Sequence, residues 1–332
     1  MSEALKKILI FLKNLVKYHK LKIFSFFVFF MFFFVILFPY NDLIDVVSTQ
    51  VSQRTQNKVY IDFEDLHLKL FPLPGVNLSH ITLNALDYPP LSIASLSVYP
   101  SLGSLLTFKK GAKAEIEKLL GGYWKVEWQE SKGRQKQQIH EVKTEFKKVA
   151  LRALLQFFNL PVSGSGTLQA KVSGHIDPTF IQPPKMDILL QGQKVKTHPL
   201  FLDNPMMGGI SLPGLQWSYI LLKGRLVDSQ LIIEKAELGV PKDPIFLRFK
   251  GRFNLEIKKQ GSHLWTQWGS YEGKVDLQIT PSMEKEMVFR TLKTLYGSTR
   301  QQTSKGIRYL FKINGNGFAM GSMPSVKKAL KF

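Results

Sequence analysis

The chain has 332 residues, no cysteine and a formal charge of +20, from 45 Lys and Arg against 25 Asp and Glu. Without thiols there is no disulfide framework, no thiolate zinc site, no iron–sulfur cluster and no cysteine nucleophile, so stability must come from packing. At 44% hydrophobic and 12% aromatic, the chain has ample material for a core and is not disordered by composition.

The first element is an apolar run, Ile23 to Phe38 (IFSFFVFFMFFFVILF), broken only by Ser25, with no charge between Lys22 and Asp42. About 18 residues at 1.5 Å each give roughly 27 Å, close to the hydrocarbon thickness of a bilayer. The run predicts a membrane-spanning helix over 23–40, carried by Ile23, Phe24, Phe26, Phe27, Phe30, Phe34 and Phe38. Pro39-Tyr-Asn-Asp-Leu43 offers no small-x-small cleavage site, which favours a retained anchor over a signal peptide. Lys6, Lys7, Lys13, Lys17, Lys20 and Lys22 precede the run, and Asp42 and Asp45 follow it. The positive-inside bias then places the N-terminus in the cytoplasm and everything after Tyr40 across the membrane. Leu5, Ile8, Leu9, Leu12, Leu15 and Val16 fall at helical spacing. Residues 1–22 therefore read either as a basic amphipathic helix on the anionic inner leaflet or as a solvated basic leader.

Beyond the run, positive charge is spread thinly, in groups such as Lys109-Lys110-Lys113, Lys132-Arg134-Lys136 and Lys143-Lys147-Lys148. No arginine stripe with interleaved aromatics appears, so nucleic acid is not an expected partner. The expected partners are the lipid bilayer, phospholipid or lipopolysaccharide headgroups, and acidic faces of other envelope proteins; a solvated basic surface is the plainer alternative.

After the run, Leu43, Val46, Val47, Gln50 and Val51 mark one side of a helix ending near Arg54, capped by Asn41 or Asp42. The period then changes to two. Val59, Ile61 and Phe63, then Leu66, Leu68 and Leu70, alternate with polar residues; Phe71-Pro-Leu-Pro-Gly75 is a turn, and strands follow over 76–83 and 91–98. Ala112, Ala114 and Ile116, then Trp124, Val126 and Trp128, flank Gly121-Gly122 as a hairpin. Ile139, Val142, Phe146, Val149, Ala150, Ala153, Leu154 and Phe157 recur at three and four, predicting an amphipathic helix over 139–159 packed on a sheet. Strands are read over 166–174, 217–225, 230–238, 245–257, 271–279 and 308–313, with a second helix over 282–295 and a frayed tail at 325–332. The body, 41–324, reads as one long domain or as two divided near the 139–159 helix.

Four stretches carry a resemblance to the protein N family of the type II (general) secretion pathway, within the wider AsmA-like envelope proteins. They are the anchor and helix leading into Thr55-Gln-Asn-Lys-Val-Tyr-Ile-Asp-Phe63 and Leu66-His-Leu-Lys-Leu-Phe-Pro-Leu-Pro-Gly75; Ser92-Ile-Ala-Ser-Leu-Ser-Val-Tyr-Pro100; the Gly121-Gly122 hairpin; and the strand-plus-glycine pattern of Val162-Ser-Gly-Ser-Gly-Thr-Leu168 and Gly224-Arg-Leu-Val-Asp-Ser-Gln-Leu-Ile-Ile233. The chain departs from the AsmA-like pattern in placing Thr55-Gln-Asn where Thr-Gly is common, and in its Phe-rich anchor. The resemblance implies a single-pass protein of the cell inner membrane with a mainly β fold: one transmembrane helix, then an elongated, curved antiparallel sheet packed by amphipathic helices and projecting into the periplasm. It implies a non-enzymatic role in assembling or operating the type II secretion machine. The alternative it implies is AsmA-like binding or transfer of lipid.

The residues themselves offer little chemistry. His19, His67, His80, His140, His175, His198 and His263 are scattered and no HExxH occurs, so no metal is expected. Ser163-Gly164-Ser165-Gly166 is half of a nucleophile elbow, and Gly-x-Ser-x-Gly is not met. Asp62, Glu64 and Asp65 lack calcium-loop spacing, Gly315-Asn316-Gly317 is a turn, and no phosphate loop occurs; no cofactor or catalytic residue is assigned.

Overall fold

The computed structural model describes residues 20–37, 40–69, 73–85, 88–101, 103, 107, 109–132, 138–160, 162–202, 210–260, 263–304, 306–317 and 325–328. The chain falls into two compact units, Met1–Val47 and Ser48–Phe332. In the first, α1 (Lys20–Leu37) carries the apolar run. Phe24, Phe26, Phe27 and Phe30 are all exposed on it, at 68, 71, 56 and 53%. Lys20 opens the helix and Lys22 is exposed. Three of its 18 residues, Lys20–Lys22, precede the uncharged stretch and leave 15, about 22 Å of helix. Among the described residues no helix is long and apolar enough to cross a membrane. Lys6, Lys7, Lys13, Lys17 and Phe38 lie outside the described residues.

A 3-10 turn (Tyr40–Leu43) leads into α2 (Ile44–Arg54). Thr55 ends this helix: its hydroxyl donates to the Val51 carbonyl (2.8 Å) and accepts from the Val59 N–H (3.2 Å). Gln56 and Asn57 adopt positive φ and turn the chain into the sheet.

Eighteen strands follow among the described residues. They are β1 (Val59–Asp62), β2 (Asp65–Lys69), β3 (Gly75–Ala85), β4 (Tyr88–Pro100), β5 (Gly111–Leu119), β6 (Gly122–Lys132), β7 (Gln138–Ala150), β8 (Gly164–Ile176) and β9 (Lys185–Thr197); the short pair β10 (Leu200–Leu202) and β11 (Ile210–Leu212); then β12 (Gln216–Val227), β13 (Gln230–Leu238), β14 (Ile245–Gln260), β15 (His263–Ile279), β16 (Arg300–Thr303), β17 (Gly306–Asn316) and β18 (Ser325–Lys328). Sixteen of them form one sheet in the order β1-β3-β4-β5-β6-β7-β8-β9-β12-β13-β14-β15-β17-β16, with β2 on β3 and β18 on β17. Every pairing is antiparallel, and from β3 to β9 each strand lies beside its chain neighbour, the low-entropy way to build a wide sheet. Two connections are two-residue turns with positive φ at both positions: Leu120-Gly121 (φ 51 and 76) and Asp228-Ser229 (φ 50 and 59). This backbone matches the right-handed strand twist.

Among the elements described in full, two short helices pack on the sheet: α3 (Leu151–Phe157) joins β7 to β8, and α4 (Met287–Tyr296) lies between β15 and β16. Under α4, Phe289 packs with Ile245, Val275, Leu277, Ile279, Ile307 and Tyr309, a core in which Tyr309 is fully buried. Its hydroxyl donates to Glu284 (3.1 Å), which also holds Arg300 (2.8 Å).

Two expectations are corrected here. Residues 138–150 are strand β7, and only 151–157 is helical. Val142 and Phe146 are four apart, a spacing that satisfies both periods, whereas Glu141, Lys143, Glu145 and Lys147 alternate on the opposite side. The tail is not frayed over Ser325–Lys328, which pairs with β17 in register from Asn314 to Phe311. The sheet runs unbroken through β7, which pairs with both β6 and β8.

Asp276, 4% exposed on the polar face of β15, accepts two hydrogen bonds from Arg308 (2.7 and 2.9 Å) and one from Arg248. Burial pushes its carboxyl up, but the bonds from Arg308 and Arg248 outweigh this and hold it below the usual carboxylate range. Its contribution is therefore present above the ordinary carboxylate pKa and lost as the pH falls through the lowered one. Asp276→Asn should cost about 3 kcal/mol in urea unfolding at neutral pH, and should flatten the acid limb of the stability profile.

Candidate functional site

The register of the sheet brings together what no single strand shows. Leu78, Leu96, Ile116, Trp124, Phe146, Ala170, Leu190, Leu222, Ala236, Phe249, Val275 and Phe311 are successive cross-strand partners. They form one apolar row across β3 to β17. The adjacent row on the same face runs Val76, Val98, Ala114, Val126, Thr144, Val172, Ile188, Gly224, Ile233, Gly251, Gly273 and Ile313, and it contains no charge. Only the β14–β15–β17 end of these rows lies under α4. From β6 to β12, Trp124, Val126, Phe146, Ala170, Val172, Ile188, Leu190 and Leu222 are half-buried.

Aromatic rings thicken this face at two places, on β6–β7 and on β14–β15. Trp124 and Phe146 lie 4.0 Å apart, centre to centre, and Trp128 lies 5.0 Å from His140. On the other side Phe253 contacts Phe249 (5.8 Å), Tyr271 (6.0 Å) and Trp268 (6.3 Å). Gly251 and Gly273 are register partners, and the Phe249 ring fills the notch they leave: a Cβ on Gly251 would meet its Cζ at 2.6 Å. The Trp124 indole nitrogen and His140 Nδ1 are buried without a hydrogen-bond partner among the described residues.

The opposite face is charged and ordered by sign. Glu115, Lys125, Glu145 and Lys171 are consecutive partners across β5 to β8, and Lys113, Glu127 and Lys143 form the next row. Glu145 sits 2.9 Å from Lys171, and Lys113 sits 2.6 Å from Glu115. Burial, together with the Glu115 carboxylate, pushes the neighbouring Tyr123 hydroxyl up to about 12. Opposite charges at facing positions favour this register over one shifted by a residue, which would also turn the apolar rows outward.

The sheet also curls. Lys259 Nζ comes within 3.5 Å of the Pro178 carbonyl, although β9, β12 and β13 separate β8 from β14. In a flat sheet those strands would stand roughly 19 Å apart. Lys259 has the parity of Leu255, whose partner Trp268 packs on Phe253, so the curl closes toward the apolar side.

Among the described residues no group of three or more His, Asp or Glu side chains is arranged to hold a metal ion. Glu64 instead pairs with exposed His80 (3.1 Å). The Ser163 hydroxyl lies 3.2 Å from His198 Nδ1, a pairing that a separation of 35 residues hides from sequence reading and the β8–β9 register supplies. No family model, no curated protein and no solved structure matches the chain.

Gly273→Val should drive a side chain into the Phe249 ring and lower stability by about 1–3 kcal/mol in thermal melts. Combined with Phe249→Ala, it should cost less than the sum of the two single changes, because the collision is gone.

Proposed function

We propose that the protein is a non-enzymatic, membrane-anchored component of the cell envelope whose sheet shelters acyl chains on its apolar face. The observation that carries this reading is the pair of uncharged rows spanning twelve strands, most of whose width neither α3 nor α4 covers among the described residues. An apolar face half-open to solvent over that width is unfavourable at about 25 cal/mol per Å2. Lipid chains would cover it, and the charged reverse face keeps the body soluble.

The apolar run is proposed as the anchor, with the N-terminus cytoplasmic and the body periplasmic. Its support is the uncharged stretch closed by Lys22 and Asp42 and the exposed phenylalanines of α1. Of the two roles the family resemblance implies, lipid handling takes precedence, because it alone requires a wide apolar face. Support of type II secretion assembly is the reading that remains if the body carries no lipid.

Two experiments test this. The full chain, purified in detergent and analysed by native mass spectrometry, should carry phospholipid at a fixed stoichiometry. Val172→Glu with Leu190→Glu, in the middle of the apolar rows, should abolish it and leave the far-ultraviolet dichroism unchanged. A lipid-free wild type, or lipid retained by the double variant, rejects the acyl-chain reading. For the anchor, insertion of the run is worth on the order of −5 kcal/mol and each central Arg opposes it by about 3. Phe27→Arg should leave the protein in the membrane fraction after alkaline extraction, and Phe27→Arg with Phe34→Arg should release it.

A further inference from the structure

Where α3 meets the first residues of β8, it borders a cavity of about 510 Å3. Its polar lining comes from three segments far apart in sequence: Arg152 and Gln156 on α3, Ser163 and Ser165 at the entry to β8, and His198 just after β9. The His198 backbone N–H donates to the Ser163 carbonyl (2.9 Å), and Ser163 Oγ stands 3.2 Å from Nδ1, so the two strand ends are stapled by backbone and side chain together. When the Ser163 hydroxyl donates to Nδ1, the ring proton sits on Nε2, and the imidazole also presents a donor. Gly164 permits the close fit. A Cβ there would meet the Lys196 carbonyl oxygen at 2.7 Å and the leucines of α3 at 3.4–3.5 Å.

The chemistry of the lining is one-sided. No carboxylate borders the cavity, and Arg152 forms no ion pair among the described residues. A guanidinium fork, an imidazole, a carboxamide and two hydroxyls, with no anion to neutralise them, suit a tetrahedral oxyanion. A Ser–His pair lacking a carboxylate to orient the ring is poorly equipped for acyl transfer. The remaining wall is apolar, with Leu155 half-buried and Leu160 half-exposed, so the group attached to the anion is greasy at its root.

We infer that this cavity binds the phosphate of an anionic amphiphile, with Arg152 as the principal contact and Ser163, Ser165 and His198 as further donors. That the phosphate belongs to a lipid rests on the acyl-chain reading; that the cavity takes a phosphate does not.

The test uses the full chain in detergent, titrated calorimetrically with dihexanoylphosphatidic acid, dihexanoylglycerol and glycerol 3-phosphate. Phosphatidic acid should bind at least tenfold more tightly than dihexanoylglycerol. Arg152→Gln should erase that difference, while Arg152→Lys should keep part of it. Unchanged dichroism and melting temperature exclude unfolding as the cause. If glycerol 3-phosphate binds as tightly as phosphatidic acid and both depend on Arg152, the phosphate site stands and its lipid source fails. If neither phosphate probe binds, or if Arg152→Gln leaves the preference intact, the inference is overturned, even where long-chain lipid still co-purifies.

Discussion

Period-two alternation held in register across many strands governs everything else in this molecule. Side chains of a strand point to opposite faces in turn, so a register error of one residue would turn an entire apolar set outward. Here the pairing holds from β3 to β17, through bulges at Lys148, Lys194 and the Glu234–Lys235 step, and apolar residues stay aligned across the width of the sheet. The result is a sheet with far more apolar surface than a seven-residue and a ten-residue helix can cover. Curling reduces the excess without abolishing it.

The polar face is the complement of that arrangement. Its charges alternate along β6 and β7 and oppose one another across strands from β5 to β8, so each pair contributes a little stability and much more positional information. Toward the C-terminal strands the pattern changes: Lys250, Lys274 and Lys312 are direct neighbours, and Asp276 is buried between two arginines. The deepest packing lies on the other side of these same strands, under α4. That end is therefore packed on its apolar face and ion-paired on its polar face.

Strands with clean alternation were legible in the sequence, among them β5 and β6 around their tight turn and β12 to β15. β7 was not, because Val142 and Phe146 fit a helix as well as a strand; the alternating Glu141, Lys143, Glu145 and Lys147 were the signal that favoured a strand. β9 was missed because Ile188, Leu189 and Leu190 are consecutive and hide its period. The apolar run of α1 was plain, yet its uncharged helical stretch is shorter than the residue count implied, since Lys22 lies within the helix and 38–39 fall outside the described residues. Two features were beyond sequence reading altogether. The apolar rows exist only once register is fixed, and the meeting of Ser163 with His198 depends on the pairing of β8 with β9.

Quenching by bromine-labelled lipid puts the central idea to its most direct trial. In a variant keeping only Trp124 and Trp128, with Trp217, Trp265 and Trp268 replaced by Phe, indole emission reports on the middle of the apolar rows. If acyl chains lie along that face, phospholipid brominated in its chains should quench this emission strongly, and headgroup-labelled lipid should not. Emission indifferent to chain bromination, from a folded and lipid-exchanged protein, would mean that the face is closed by protein alone.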